Sequence, residues 1–327
     1  MRATGNNQMN ACKVCSKSLF RGWLMSAMFF SMLNISAMFR LAYYDHQLQA
    51  VESMENMIVS PPSNLKTKSV IAYAISLTSC QMNSTILDGA AILGHSIHLT
   101  SKHSNYDYER YAFVHKQDAA SCRPILQRLG WKTIVRDKLP VETDAIQDES
   151  LREAVQIKGC CGVKEFMKLY AYTLVDHPIV VHLDTDVVIL KPMDELFDTM
   201  LLKDHYRLPR YHLMDTHNNS DFDLADFYFV RDYLQGSQFT TDKSQFGVQG
   251  GFFVVKPNLT MFDELTSRLM TKETYHRKRG WSNQGHTGYW GASQIQGYLS
   301  YVYKHHYPGR AIELNRVSVI ECVACLV

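Results

Sequence analysis

The stretch Pro178 to Asp198, PIVVHLDTDVVILKPMDELFD, decides how this chain is read. Ile179 to Leu183 is an apolar run broken only by His182, the composition of a strand buried in a parallel sheet. It delivers Asp184-Thr185-Asp186 at its C-terminal end, the edge at which open α/β sheets bind ligands. Two carboxylates one residue apart, in a bent and non-strand conformation, can both reach one hard divalent cation, with phosphate oxygens and water in its remaining positions. Such a cation stabilises negative charge on a departing nucleotide diphosphate. A second D-x-D, Asp221 and Asp223, follows Asn218-Asn219-Ser220 in a polar stretch and reads as a solvated loop or helix cap.

Working outward, Val70 to Leu77 is a short apolar strand that ends in the polar Thr78-Ser79 and is followed by a helical stretch from Ile86 to Leu99. A strand that ends in small polar residues and turns into a helix opens a nucleotide-binding α/β sheet. Apolar runs at Tyr111 to His115 and Thr133 to Val135, and a helical stretch from Lys164 to Val175, continue the alternation and predict a doubly wound sheet. The chain carries no G-x-G-x-x-G and no P-loop, so neither a dinucleotide fold nor an ATPase has its fingerprint. With 34 Lys plus Arg against 32 Asp plus Glu, the net charge of +2 gives no electrostatic case for nucleic acid as the main partner. Only 17 Gly and 9 Pro in 327 residues, without an internal repeat, argue against a solenoid, a propeller or collagen.

On these residues the chain resembles a known family. The run Lys164 to Phe197, KEFMKLYAYTLVDHPIVVHLDTDVVILKPMDELF, looks like the core of glycosyltransferase family 8, the group that includes glycogenin and bacterial lipopolysaccharide galactosyltransferases. The resemblance implies a GT-A, Rossmann-like nucleotide-diphospho-sugar transferase fold, a UDP-sugar donor, Mn²⁺ held by the D-x-D, and transfer with retention of anomeric configuration. It implies that Asp184 contacts the ribose and the metal, that Asp186 binds the metal, and that Lys168 contacts the donor. Without the resemblance, Lys168 reads as a solvated helix lysine. Val70 to Ile97 looks like the family's first strand, nucleotide loop and helix, which puts Leu77, Thr78 and Ser79 on the uracil pocket. Gly247 to Pro257, GVQGGFFVVKP, is similar to the family's asparagine-small-glycine strand facing the donor sugar. Gln249 takes the amide position there, and Gly250-Gly251 lets the backbone approach the sugar. A β-bulge is the alternative account of the same glycines.

Gly291 to Tyr303, GASQIQGYLSYVY, resembles the segment that supplies the family's catalytic amide or carboxylate, a role that falls to Gln296. Its plain reading is a polar residue on a helix surface. Asp215 is matched to an acidic sugar contact, and His286 to an acceptor loop or an exposed turn. Two departures stand out. Ile295 occupies the place of an Asp in glycogenin-like members, which speaks against self-glucosylation. The C-terminal AIELNRVSVIECVACLV lacks the late H-x-x-G-x-x-K-P-W-like segment with a third metal ligand; His305 and His306 come too early for it, so either a substitute for that ligand exists or the C-terminus is truncated relative to the family. The match runs from Val70 to Asn315.

Gly22 to Phe39 carries no charge and, as a helix, spans roughly 27 Å, enough for a thin bilayer. Arg2, Lys13, Lys17 and Arg21 precede it with no acidic residue, which places the N-terminus in the cytosol and the rest in the lumen. The expected layout is a cytosolic tail (1–21), a transmembrane signal anchor (22–39), a stem (40–68) and a single catalytic domain (69–327), a single-pass type II protein of the Golgi or endoplasmic reticulum membrane. A cleaved signal peptide is the alternative. Of eight Cys, the Cys12/Cys15 and Cys322/Cys325 pairs lie on opposite sides of this segment and cannot share a zinc. Cys80, Cys122, Cys160 and Cys161 are candidates for disulfides of open connectivity. Sequons at Asn83, Asn218 and Asn258 agree with a lumenal location.

The expected function is a retaining hexosyl transfer from a UDP-sugar to a glycan or glycoprotein acceptor, with Gln296 stabilising oxocarbenium-like charge. Two other readings remain: a catalytically weak or dead sugar-binding scaffold, and a nucleotidyltransferase.

Overall fold

Alternation along β1 (Val70–Leu77) sorts the interior into two cores. Ile71, Tyr73, Ile75 and Leu77 face one hydrophobic cluster, and Ala72 and Ala74 face the other, as the two-residue period of a strand requires. The computed structural model describes residues 68–80, 85–157, 161–202, 224–232, 247–314 and 323–325, all within one compact unit spanning 67–327. The expected tail, anchor and stem lie outside the described residues except for Lys68, as do Asp215, Asp221, Asp223 and the sequons at Asn83 and Asn218. Among the described residues, no helix is long and apolar enough to cross a membrane.

Helices cover both faces of the sheet. On the first face, α1 (Thr85–Ser101) and α2 (Lys116–Arg128) contribute Leu87, Leu93, Ile97 and Leu126. On the second, α3 (Glu149–Ile157) and a 3-10 helix (Gly162–Thr173) contribute Leu151, Phe166 and Leu169. Burial of a large apolar side chain stabilises by about 1.5–3 kcal/mol relative to exposure, so these faces dominate the energetics.

The central sheet has seven strands. β1, β2 (Asp107–His115), β3 (Lys132–Arg136) and β4 (Val180–Leu183) are joined by parallel pairings. β5 (Val187–Ile189) and α4 (Asp194–Leu202) follow, then β6 (Phe227–Arg231) and β7 (Val248–Val255). Beyond β7 come α5 (Leu259–Thr271), the small hairpin of β8 (Tyr275–His276) and β9 (Gly280–Trp281), α6 (Ile295–His305), β10 (Ala311–Glu313) and β11 (Val323–Cys325). α5 and α6 pack on the second face through Leu265 and Leu299. The strand order is β10-β6-β7-β4-β1-β2-β3. β7 is antiparallel to both its neighbours, so it alone runs against the other strands of that sheet. The result is a mixed, Rossmann-like α/β core, the fold class expected, with one strand reversed from a purely parallel sheet.

One element differs from expectation. The helical stretch predicted over Lys164–Val175 is a 3-10 helix over Gly162–Thr173. Its three-residue turn stacks positions i and i+3, which aligns Phe166, Leu169 and Tyr172, all fully buried, and sets Glu165 beside Lys168 at 3.0 Å. Gln296, whose plain reading was a polar residue on a helix, does lie on a helix, α6, which starts at Ile295. Gly291 itself has φ of 75°, a left-handed conformation outside a helix.

Candidate functional site

The parallel pairing of β1 with β4 and the antiparallel pairing of β7 with β4 and β6 bring the C-terminal ends of β1, β4 and β6 and the start of β7 to one edge. Thr78, Asp184, Asp232 and Gln249 to Gly251 therefore share it. The backbone N–H of Asp184 donates to the Gly251 carbonyl at 2.9 Å, which fixes the D-x-D turn against β7. From below, the Lys168 ammonium lies 2.9 Å from Asp184 Oδ1 and 3.0 Å from Glu165 Oε2, and donates to the Gly250 carbonyl at 3.1 Å. Lys168 is 6% exposed. Its expected role as a donor contact meets an ammonium whose three N–H groups already point at protein acceptors.

The electrostatics follow from that burial. Desolvation works against the charge on Lys168, but Asp184 and Glu165 more than offset it and hold its pKa above the ordinary lysine value. Desolvation raises the Asp184 carboxyl, against the pull of Lys168 and with the help of Glu165. Asp186, on the same turn, is exposed. Behind the turn, α1 presses its Gly89 against the Thr185 carbonyl, where a Cβ would overlap that oxygen.

The glycines of β7 answer to both accounts given for them. β6 and β7 lose register between Phe229 and Arg231, the irregularity of a bulge. The bulged segment also packs polar side chains around glycines. A Cβ on Gly251 would stand 2.9 Å from Gln249 Oε1 and 3.1 Å from Asp184 Oδ2, and one on Gly250 would stand 3.3 Å from Gln296 Oε1. Gln249 Oε1 accepts from the Gly251 N–H. Gln296 Nε2 donates to Asp232 Oδ2 at 2.9 Å. Asp184, Lys168, Gln249, Gly250, Gly251 and Gln296 are thus drawn to one place, and Gln296 is no bare surface polar group.

On the neighbouring strand, the loop after β1 is tied at three points. Lys164 donates to the Thr78 carbonyl at 2.8 Å and pairs with Asp118 at 3.1 Å. Thr78 Oγ1 donates to Cys161 Sγ at 3.3 Å. Cys80 and Cys122 form a disulfide with a Cα–Cα distance of 5.3 Å, which decides part of the open connectivity. The Leu77 side chain is fully buried in the first core, so only its backbone can face a base, whereas Thr78 and Ser79 are half-buried.

His286 is not on an exposed turn. It is 3% exposed, with φ of 57°. His306 Nε2 accepts from the Arg268 guanidinium at 2.7 Å and lies 2.8 Å from the Tyr301 hydroxyl, in a network that also holds the buried Glu273. Asn258, the one described sequon, is exposed and caps α5 by accepting from the Met261 N–H at 3.2 Å. Among the described residues, no group of three His, Cys, Asp or Glu side chains is poised around a common metal position. Asp184 and Asp186 nevertheless fit a hard cation of the kind that takes one or two protein carboxylates and leaves its other positions to phosphate and water.

Asp232 was not singled out by sequence reasoning. A partial signal was present: Phe227 to Val230 is an apolar run followed, after Arg231, by a carboxylate, whereas Asp184 follows its run directly. Glu165 gave no such signal, because its partner Lys168 is only three residues away and such pairs are common on solvated helices.

No family model matches this chain, and no curated protein matches it. Among solved structures, mouse xyloside xylosyltransferase 1 in its apo form aligns at 12% identity over 74% of this chain and 84% of that one, with a TM-score of 0.43. The galactosyltransferase LgtC, in complex with donor and acceptor sugar analogs, aligns at 11% over 62% of this chain and 66% of that one, with a TM-score of 0.32. The 4-diphosphocytidyl-2C-methyl-D-erythritol synthase of Anaerococcus prevotii aligns at 8% over 77% and 89%, with a TM-score of 0.37. At these identities and scores, none of the three assigns a family or an activity to this chain.

Proposed function

We propose that this chain is a retaining glycosyltransferase of GT-A type, moving a hexose from a UDP-sugar to a glycan or glycoprotein acceptor in the lumen of the Golgi or endoplasmic reticulum. One observation carries the reading: the D-x-D turn at the end of β4 is bonded, through Gly251 and Lys168, to the strand that presents Gln249, with Gln296 and Asp232 beside it. Carboxylates for a cation and amides for a sugar stand together at the ligand-binding edge of the sheet.

Asp184 and Asp186 are the residues to hold a divalent cation such as Mn²⁺, which when bound neutralises charge on the diphosphate leaving group. Lys168 orients Asp184 from below. Thr78 and Ser79 line the base side, in the half of the edge fixed by the disulfide. Gln249, beside the side-chain-free Gly250 and Gly251, receives the donor sugar. The anomeric carbon loses its bond to the diphosphate oxygen and gains one to the acceptor oxygen, while the acceptor proton passes to the departing diphosphate. Gln296, held by Asp232, presents an amide dipole to the positive charge that develops on the sugar ring. The expected signal anchor at 22–39 gives the chain its place on the membrane.

A hydrolysis screen tests this reading. The full chain is incubated with Mn²⁺ and individual UDP-hexoses and UDP-pentoses, and UDP release is followed. Release from at least one donor, reduced about a hundredfold or more in Asp184→Asn, is expected. Release that is the same in the variant would place the activity outside this site.

A further inference from the structure

Among the described residues, Trp290 is the one aromatic side chain in the set of exposed large hydrophobics, at 57% exposure. Its neighbours are buried: Tyr289 is 6% exposed and Ala292 3%. The segment is held on both sides. Tyr289 packs over Gly247, where a Cβ would stand 2.6 Å from the tyrosine hydroxyl. The Ala292 N–H donates to the Tyr289 carbonyl at 3.2 Å, and the Ala292 carbonyl accepts from the buried Trp281 indole at 2.7 Å. Gly288 and Gly291, with φ of 91° and 75°, turn the chain before and after the indole. A tethered backbone thus presents a flat apolar group to water.

Its place explains what the group is for. Gly291, the next residue, lies against Gln296: a Cβ there would be 3.5 Å from both Cβ and Oε1 of that side chain. With neighbouring Cα atoms about 3.8 Å apart, the Trp290 Cα is no more than about 9 Å from Oε1 of the Gln296 amide. One glycosyl unit with its linkage bridges that distance. A pyranose ring has C–H bonds on a face and hydroxyls around its rim. An indole can cover the face while the rim stays hydrated, and its size and rigidity give much contact area for little lost entropy.

We propose that Trp290 is the platform of an acceptor subsite, on which a pyranoside ring stacks so that a hydroxyl of the acceptor is directed toward Gln296. This rests on the glycosyltransferase reading of the neighbouring site and adds the class of acceptor: a glycoside, not a bare hydroxy amino acid on an unmodified polypeptide.

The test uses the full chain with UDP and Mg²⁺ and a panel of methyl pyranosides (α and β anomers of glucoside, galactoside and xyloside), read by saturation-transfer difference NMR. At least one glycoside is expected to receive saturation at its ring C–H protons. The signal falls at least fivefold in Trp290→Ala and is retained in larger part in Trp290→Phe, while UDP affinity in both variants stays within twofold of the parent. Being exposed, Trp290 can be replaced without loss of the fold, which equal melting temperatures check. Undiminished signals in Trp290→Ala, or no glycoside binding by a parent protein that binds UDP, would overturn the proposal and leave the donor site standing. A parent protein that does not bind UDP overturns the glycosyltransferase reading, and this subsite with it.

Discussion

Gln296 Nε2 donates to Asp232 Oδ2 at 2.9 Å, joining α6 to the end of β6 across 64 residues of chain. An amide with its N–H held by a carboxylate has its orientation fixed, with the carbonyl oxygen Oε1 turned to the space over Gly250. Asp232→Ala therefore frees the amide to rotate without touching the D-x-D turn. We expect kcat for donor hydrolysis to fall about 10- to 100-fold, as small misplacements of a catalytic group do, with UDP affinity changed less than twofold. Equal losses in both would mean that Asp232 supports the whole edge and not Gln296.

Lys168 joins Glu165, Asp184 and the Gly250 carbonyl. Removing one member of a buried charge cluster strands the others, at a cost of about 3–5 kcal/mol. Lys168→Ala is expected to lose that much in urea unfolding and to lose UDP binding as well. A variant that folds with parental stability would show that water or a cation replaces the ammonium at no cost.

Gly89 sits inside α1, where Ala is ordinarily better by about 1 kcal/mol. Here the Thr185 carbonyl occupies the Cβ position, and backbone cannot yield as a side chain end can. Overpacking of this kind costs about 1–3 kcal/mol, so the clash wins over the propensity. Gly89→Ala should lower stability and weaken UDP binding roughly tenfold, because the turn that moves carries both aspartates. Higher stability with unchanged binding would contradict the close approach.

Burial, and then the charges of Lys304, His305 and Arg231, hold His286 down to about 3. A histidine in the unfolded chain titrates near 6.5. Between these values the unfolded chain binds the extra proton, so stability falls as pH drops from about 6.5 toward 3, by up to about 1.4 kcal/mol per pH unit from this group. Above 6.5 its contribution is fully present. His286→Asn preserves a residue that tolerates the φ of 57° and should flatten the slope measured by denaturant unfolding between pH 7 and 5. An unchanged slope would assign the acid sensitivity to other groups.

The parts of this molecule written as local pattern were legible in the sequence. The run Val70 to Leu77 reads as a strand because its alternate residues serve two cores, and Asp184 stands out because it ends an apolar run. The reversal of β7 was not legible, since a strand looks the same in either direction. Lys168 read as a solvated lysine because the 3-10 turn that buries it depends on packing of Phe166, Leu169 and Tyr172, not on propensity. The bond between Gln296 and Asp232 is a meeting of distant segments, and no spacing encodes it. The aspartate placed at position 215 by resemblance falls outside the described residues, while the carboxylate that the fold delivers to the amide is Asp232.

The most direct measurement is calorimetric titration of UDP into the full chain, with and without Mn²⁺, beside an Asp186→Ala variant. Asp186 is exposed, so its loss reads the site and not the core. The account predicts binding that needs the cation and is lost in the variant. Cation-independent binding that survives the substitution, or no binding by a chain shown to be folded, would contradict it.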